Sequence, residues 1–162
     1  MNQNHIQHIQ ISAAIITVSS TRKQENDSSG AAISTLLTTT GIPISHYAIV
    51  TDRIEAIRNE LYIAMKTANC IIINGGTGLT HDDCTIEAIS PLLHKKIDGF
   101  GEFFRMKSLQ EIGTSSMLSR AIAGVIDGKV VFCIPGSTPA VTLATKELIL
   151  PEITHILSHA NR

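Results

Sequence analysis

Apolar residues in this chain fall into short unbroken runs and longer stretches with a three- and four-residue rhythm, with polar, glycine-bearing turns between them. Ala13 to Val18, Cys70 to Asn74 and Lys129 to Ile134 are nearly continuous, as expected of central strands in a parallel sheet covered on both faces. His46 to Val50 reads as a further strand. Between the strands, Ile33, Leu36 and Leu37, and then Ile54, Ile57, Leu61, Ala64 and Ala68, recur at helical spacing. Asp27-Ser28-Ser29 supplies N-cap residues for the first of these helices, and Gly41 with Pro43 stops it. The pattern predicts another helix from Thr85, breaking at Ser90-Pro91, one over Glu111 to Ala123, and a last one from about Pro139 towards His159 with an interruption near Pro151. Asp127-Gly128 is a hairpin-type turn. This alternation predicts an α/β fold, a three-layer α/β/α sandwich with a largely parallel (mixed) sheet.

Composition narrows the function. The 162 residues suit a single domain over 12–162 behind a polar tail over 1–11, in which Ile6, Ile9 and Ile11 could form an apolar edge. A net charge of −1 and no basic run argue against a nucleic-acid partner. The apolar runs are strand-sized, too short to span a bilayer, and the opening residues lack a leader pattern, so a cytoplasmic protein without membrane contact is expected. Cys70, Cys84 and Cys133 show no paired spacing, so neither a disulfide framework nor a zinc ribbon is indicated.

The chemistry concentrates at Asn74-Gly75-Gly76-Thr77-Gly78-Leu79-Thr80-His81-Asp82-Asp83-Cys84-Thr85, a corner between a strand and a helix. Gly75, Gly76 and Gly78 free the backbone for positive φ and for close approach to a ligand. Converging N–H groups and the start of the following helix suit an anion. Asp82 and Asp83 would repel a phosphate unless a divalent cation lay between, which suggests metal-dependent nucleotide or phosphate chemistry. The plainer alternative is a turn that ends a strand and a residue that caps a helix. No Lys follows the glycines as a P-loop requires, and His81 stands where a dinucleotide fingerprint needs its third glycine. Cys84 is a poor nucleophile beside two carboxylates, which raise a thiol's pKa.

Other residues have two readings. Asp52 with Glu55 forms a D-x-x-E capping pattern, and spacing favours the cap, although an acidic residue at a strand exit can also face the cleft. Arg120 reads first as a solvated or ion-paired residue and second as a phosphate fork. Pro135-Gly136-Ser137-Thr138-Pro139 repeats the strand, glycine and capped-helix pattern, with Thr138 as N-cap, and should lie on the same sheet edge as the first corner. Phe100 to Met106 reads first as core or subunit interface and second as a substrate pocket. His155 and His159 have metal-ligand spacing but lack the accompanying Glu, and read as favourable charges near a helix C-terminus.

Gly75-Gly76-Thr77-Gly78-Leu79-Thr80 with Asp83 and Thr85, Gly99-Phe100-Gly101-Glu102, Met117-Leu118-Ser119-Arg120-Ala121 with Gly124, and Pro135-Gly136-Ser137 together resemble the MoaB/MogA family, in order and spacing, from about Ala13 to Leu157. The resemblance implies a molybdopterin-binding fold, a homotrimer or homohexamer, and a step in molybdenum cofactor biosynthesis. In active members this is Mg²⁺-dependent adenylylation of molybdopterin by ATP with release of pyrophosphate. By position it implies Asp52 and Asp83 as catalytic and metal-binding residues. Gly75, Gly76, Thr77, Gly78, Pro135, Gly136 and Ser137 then hold the nucleotide, and Thr85, Glu102, Ser108, Ser119 and Arg120 the pterin and its phosphate. The chain departs from the family pattern at Asp82, where Arg is frequent, at Ser20, where Asp commonly follows Ser, and at Arg53, where a second acidic residue often follows Asp52. Asp82 and the MoaB-like Glu111-Ile112-Gly113-Thr114-Ser115 motivate an alternative, a noncatalytic pterin-binding or scaffold paralogue. A dinucleotide-dependent oxidoreductase rests on Gly76-Thr77-Gly78 alone.

Overall fold

A computed structural model describes residues 9–162. The expected tail therefore lies largely outside the described residues, Ile6 included, while Ile9 and Ile11 pack against the core. Six strands form one sheet in the order β2-β1-β3-β6-β5-β4. They are β1 (Ala13–Val18), β2 (Ile44–Val50), β3 (Cys70–Asn74), β4 (Lys95–Lys96), β5 (Ile122–Ile126) and β6 (Lys129–Ile134). Strands β2, β1, β3 and β6 are mutually parallel, and β5 and β4 add an antiparallel edge. The expected three-layer sandwich with a mixed, largely parallel sheet is what forms.

The continuous apolar runs are explained by two cores, one on each sheet face. In register, Ile15, Ile72 and Phe132 are neighbours on one face, and Ile16, Ile73 and Cys133 on the other. The first face is covered by α1 (Ser28–Thr39), α4 (Asp98–Ile112), α5 (Thr138–Ala144) and α6 (Leu150–Ala160), with Ile33, Leu37, Phe104, Val141 and Leu157 buried against it. The second face is covered by α2 (Ile54–Ala64) and α3 (Thr85–Ile89) through Ile57, Leu61, Ala88 and Ile89. Both faces exclude water, so strand residues of either parity must be apolar. No helix among the described residues is long and apolar enough to cross a membrane.

Three local expectations need correction. The helix expected over Glu111 to Ala123 is instead the end of α4, a 3₁₀ segment Gly113–Leu118 and the strand β5. The reason is the hairpin: Asp127 (φ 47°) and Gly128 (φ 73°) form a two-residue turn, which requires a strand on each side. Asp52 does not cap α2; Arg53 occupies the cap position, with no side-chain cap bond. The cap of α5 is Ser137, one residue earlier than expected, and its hydroxyl accepts from the Ala140 amide at 3.3 Å. The interruption expected near Pro151 takes the form of a π-helical segment, Thr145–Ile149, that joins α5 to α6 just before the proline.

Candidate functional site

Parallel strands β1, β2, β3 and β6 deliver their C-terminal ends to one edge, and β1 is followed by neighbours on opposite sides. Open α/β sheets bind ligands at such a reversal. Gly75 and Gly76 leave β3 with φ of 96° and 64°, and a Cβ on Gly75 would collide with the Val18 carbonyl oxygen. Thr85 fixes the corner from below: it is fully buried, its hydroxyl donates to Gly75 O at 2.7 Å and its amide to Gly76 O at 2.9 Å. Since α3 has only five residues, the fixed corner geometry matters more here than a helix dipole.

Asp83 closes the outer half of the corner. Its Oδ2 accepts from the Thr80 amide at 2.9 Å and the Thr80 hydroxyl at 2.7 Å. Burial raises the carboxyl's pKa, but donation from Thr80 and the Gly78 amide, with the positive charge of Arg120, outweighs it and leaves the group below its ordinary value. A Cβ on Gly78 would lie 2.7 Å from this carboxylate, so glycine is what lets it come in. Arg120 is ion-paired, the first of its two readings, and it also borders the adjoining cavity. Its Nε donates to Gly78 O at 3.0 Å, and both terminal nitrogens engage Glu87, one at 3.3 Å. That donation is the main reason the Glu87 carboxyl titrates below its usual range.

Asp52 reaches the same corner from the end of β2. Its Oδ2 accepts from the Ser20 hydroxyl at 2.6 Å, and its Oδ1 lies 3.4 Å from where a Gly76 Cβ would stand. The three strand ends β1, β2 and β3 thus meet at Ser20, Asp52 and Gly76. Asp82, by contrast, is strongly exposed and only pairs with the equally exposed His81 at 3.3 Å. Burial and the nearby carboxylates of Asp52, Glu87, Asp83 and Glu55 raise the Cys84 thiol's pKa, which removes it as a nucleophile.

The second corner lies directly against the first. A Cβ on Gly136 would stand 3.0 Å from Gly75 Cα, and the Gly75 amide donates to Ile134 O at 3.0 Å. Gly136 O accepts from Ser29 Oγ at 2.5 Å and from Arg22 Nη2 at 3.1 Å. Behind them Asp27, with its side chain fully buried, accepts from the Thr17 hydroxyl (2.6 Å), the Gly30 amide (3.0 Å) and the Tyr47 hydroxyl, and pairs with Arg22 at 3.5 Å. Asn74 donates to Thr17 Oγ1 at 2.9 Å, which links this network to the end of β3. Sequence reasoning gave no role to Ser20, Arg22, Tyr47 or Thr17, and named Asn74 only as the start of the corner. The available signal was Thr17 and Asn74 themselves, polar residues closing two otherwise apolar strands.

The remaining candidates divide between two cavities. One of about 500 Å³ is lined by Glu102, Ser119 and Arg120, and one of about 180 Å³ by Ser108, Ser119, Pro135 and Ser137. Ser119 borders both and marks where they adjoin. Thr77 is buried within the first corner, its carbonyl facing Arg120 at 3.3 Å. Among the described residues no three His, Cys, Asp or Glu side chains are grouped to hold a metal. That donor set does not make an all-protein cage, but it fits a Mg²⁺ taking one or two carboxylates and completing its shell with substrate phosphate. Asp52 and Asp83 each keep one oxygen for this role, the other being held by Ser20 and by Thr80.

Comparison with known proteins agrees with this geometry. The family model described as "Probable molybdopterin binding domain" matches residues 14–155. Molybdenum cofactor biosynthesis protein B of Bacillus anthracis is 47% identical over 156 residues, covering 94% of this chain and 92% of its own length. A crystal structure of a molybdenum cofactor biosynthesis protein B superposes with a TM-score of 0.91 at 46% identity, covering 95% of this chain and 98% of that one. The tungsten cofactor synthesizing protein MoaB from Pyrococcus furiosus superposes with a TM-score of 0.86 at 37% identity, covering 94% and 98%. Two glycine corners meeting at a strand reversal, with Asp52 and Asp83 at the first, thus stand in a chain that belongs to the MoaB/MogA family of molybdopterin-binding domains.

Proposed function

We propose that this chain serves molybdenum cofactor biosynthesis by adenylylating molybdopterin with Mg-ATP. The observation that carries this reading is Asp52, fixed by Ser20 against Gly76, at the corner that Asp83 closes. In the reaction, an oxygen of the pterin's terminal phosphate bonds to the α-phosphorus of ATP, the bond to the bridging α–β oxygen breaks, and pyrophosphate leaves. No covalent enzyme intermediate is needed, so alignment and charge neutralisation do the work. A Mg²⁺ ion, when bound, would neutralise the phosphates between which charge is redistributed. The Gly75 to Gly78 backbone and Pro135 to Ser137 hold the nucleotide. Glu102, Ser108 and Ser119, around the adjoining cavities, face the pterin. Arg120 and Thr85 act through the corner they hold, keeping its carbonyls turned away from the phosphates.

The test is pyrophosphate release from Mg-ATP and purified molybdopterin by the native protein and by Asp83→Asn. The variant is expected to lose about 100-fold or more in turnover with an unchanged urea midpoint, since Asn can still accept from Thr80. Full turnover in the variant would remove Asp83 from the mechanism. The second reading, a pterin-binding paralogue without the reaction, is favoured by Asp82 turning away from the corner and by the commitment of Asp83 to Thr80. Pterin binding by the native protein with no pyrophosphate release would establish it.

The same reading includes self-assembly as a trimer or hexamer. Phe103, Met106, Leu109 and Ile112 on α4, continued by Met117 and Leu118, are all at least 50% exposed, a stripe of the kind that self-association buries. Sedimentation equilibrium is expected to give three or six copies; a monomer at micromolar concentration would overturn the assembly.

A further inference from the structure

The hairpin turn Asp127-Gly128 stands at the start of β6, and the second glycine corner follows its end, so the turn marks the sheet edge opposite the candidate site. Beside it lies a cavity of about 660 Å³, larger than either cavity at the corners and within the range of small-molecule sites. The C-terminal end of α6 forms one wall, tied down by Asn161 Nδ2 donating to Gly128 O at 2.8 Å, and β4 with its approach forms the other.

The lining has two parts. Ile97, Val125, Ile156 and Ala160 give it an apolar surface. Around this stand His94, Lys95 and Lys96 from one wall and His155 and His159 from the other, with Asp127 as the one acidic residue of the lining. Asp127 lies 3.7 Å from His94 Nδ1, and Glu152, one turn back on α6, takes His155 Nδ1 at 3.2 Å. A helix C-terminus favours cationic groups, which explains two histidines on the last turns of α6. It does not explain the basic run His94-Lys95-Lys96 on the facing wall, in a chain whose net charge is −1. Three imidazoles around one cavity would suggest a metal, but among the described residues no three such ligands are close enough together to hold one.

We propose that this cavity is a second binding site, for a small organic anion that lays an apolar ring or chain on Val125, Ile156 and Ala160 and presents a phosphate or carboxylate to the basic rim. Charge focused by a concave wall of low polarity attracts such a ligand more strongly than the same lysines would on a flat surface. The cavity shares Lys96 and Ile97 with the one of about 500 Å³ but no residue with the glycine corners, so the proposal does not depend on the reaction proposed above.

The probe is 2-naphthyl phosphate, titrated into ¹⁵N-labelled full-length protein, with 2-naphthol and inorganic phosphate as the neutral and ring-free controls. Naphthyl phosphate is expected to shift the amides of Val125, Gly128 and Ala160 saturably and to bind at least about tenfold more tightly than either control. Lys95→Glu combined with His159→Glu, both at exposed positions, is expected to weaken it by about tenfold or more while the Gly75 to Gly78 signals stay in place. Naphthol binding as tightly as its phosphate, shifts confined to the glycine corners, no saturation below about 5 mM, or an unaffected double variant would each overturn the proposal.

Discussion

The two glycine corners share a sequence pattern, strand, glycine turn and helix, but are built differently. The first needs glycine for its backbone angles: Gly75 and Gly76 have positive φ, and no Cβ fits under Val18. The second needs glycine only for room, because Gly136 has no positive φ and its constraint is the 3.0 Å approach to Gly75 Cα. The charges differ as well. Carboxylates of Asp52 and Asp83 stand at the accessible lip of the first corner, whereas Asp27 is buried behind the second and reaches it only through Arg22 and Ser29. The first corner is made to present charge to a ligand, and the second to be a fixed wall beside it.

Alanine at each glycine would test that distinction most directly. Gly75→Ala combines left-handed backbone strain with a collision against backbone, and is expected to cost about 4 kcal/mol. Gly136→Ala meets two backbone atoms of Gly75, Cα at 3.0 Å and N at 3.3 Å, at the edge of tolerable contact, and a shift of a few tenths of an ångström relieves both, so about 1 kcal/mol is expected. Urea unfolding midpoints measure both at unchanged slope. Equal costs would mean that the two corners are constrained in the same way.

This contrast also marks what the sequence could reveal. The layers, the parallel strands and both corners were legible, because continuous apolar runs ending in Gly-Gly and Pro-Gly can be read locally. The antiparallel edge was not: Ile122-Ala123-Gly124-Val125-Ile126 suits a helix or a strand until the Asp127-Gly128 turn is allowed to dictate its partner. At the site, Asp83 and the glycines could be identified because their partners lie within a few residues. Asp52 was assigned first to a cap, since its real partner, Ser20, is 32 residues away. Arg22 was given no role of its own, because the carbonyl it holds is 114 residues distant and no local pattern announces such a bond. Family likeness brought Asp52 into the site but supplied nothing for Arg22, Asp27 or Tyr47.

Acid titration sharpens the comparison with a smaller effect. Burial raises the Asp27 carboxyl's pKa, but donation from Thr17, Tyr47 and the Gly30 amide, together with Arg22, outweighs it and leaves the group below its ordinary value of 3.8. A carboxyl depressed on folding stabilises fully above its unfolded pKa and loses that contribution as pH falls through the folded one. Asp27→Asn keeps the shape but sets an amide against two hydroxyls that now donate to a carboxylate, so the native protein should exceed it by about 2 kcal/mol at pH 7. That gap should persist down to about pH 4 and close below it. Asp83 is depressed in the same direction but lies nearer water, where screening leaves its contribution small. Asp83→Asn should therefore show little gap at any pH, while its turnover falls. If urea midpoints measured from pH 7 downwards gave Asp83→Asn the larger gap, the carboxylate that holds the fold and the one that faces the ligand would have to be exchanged.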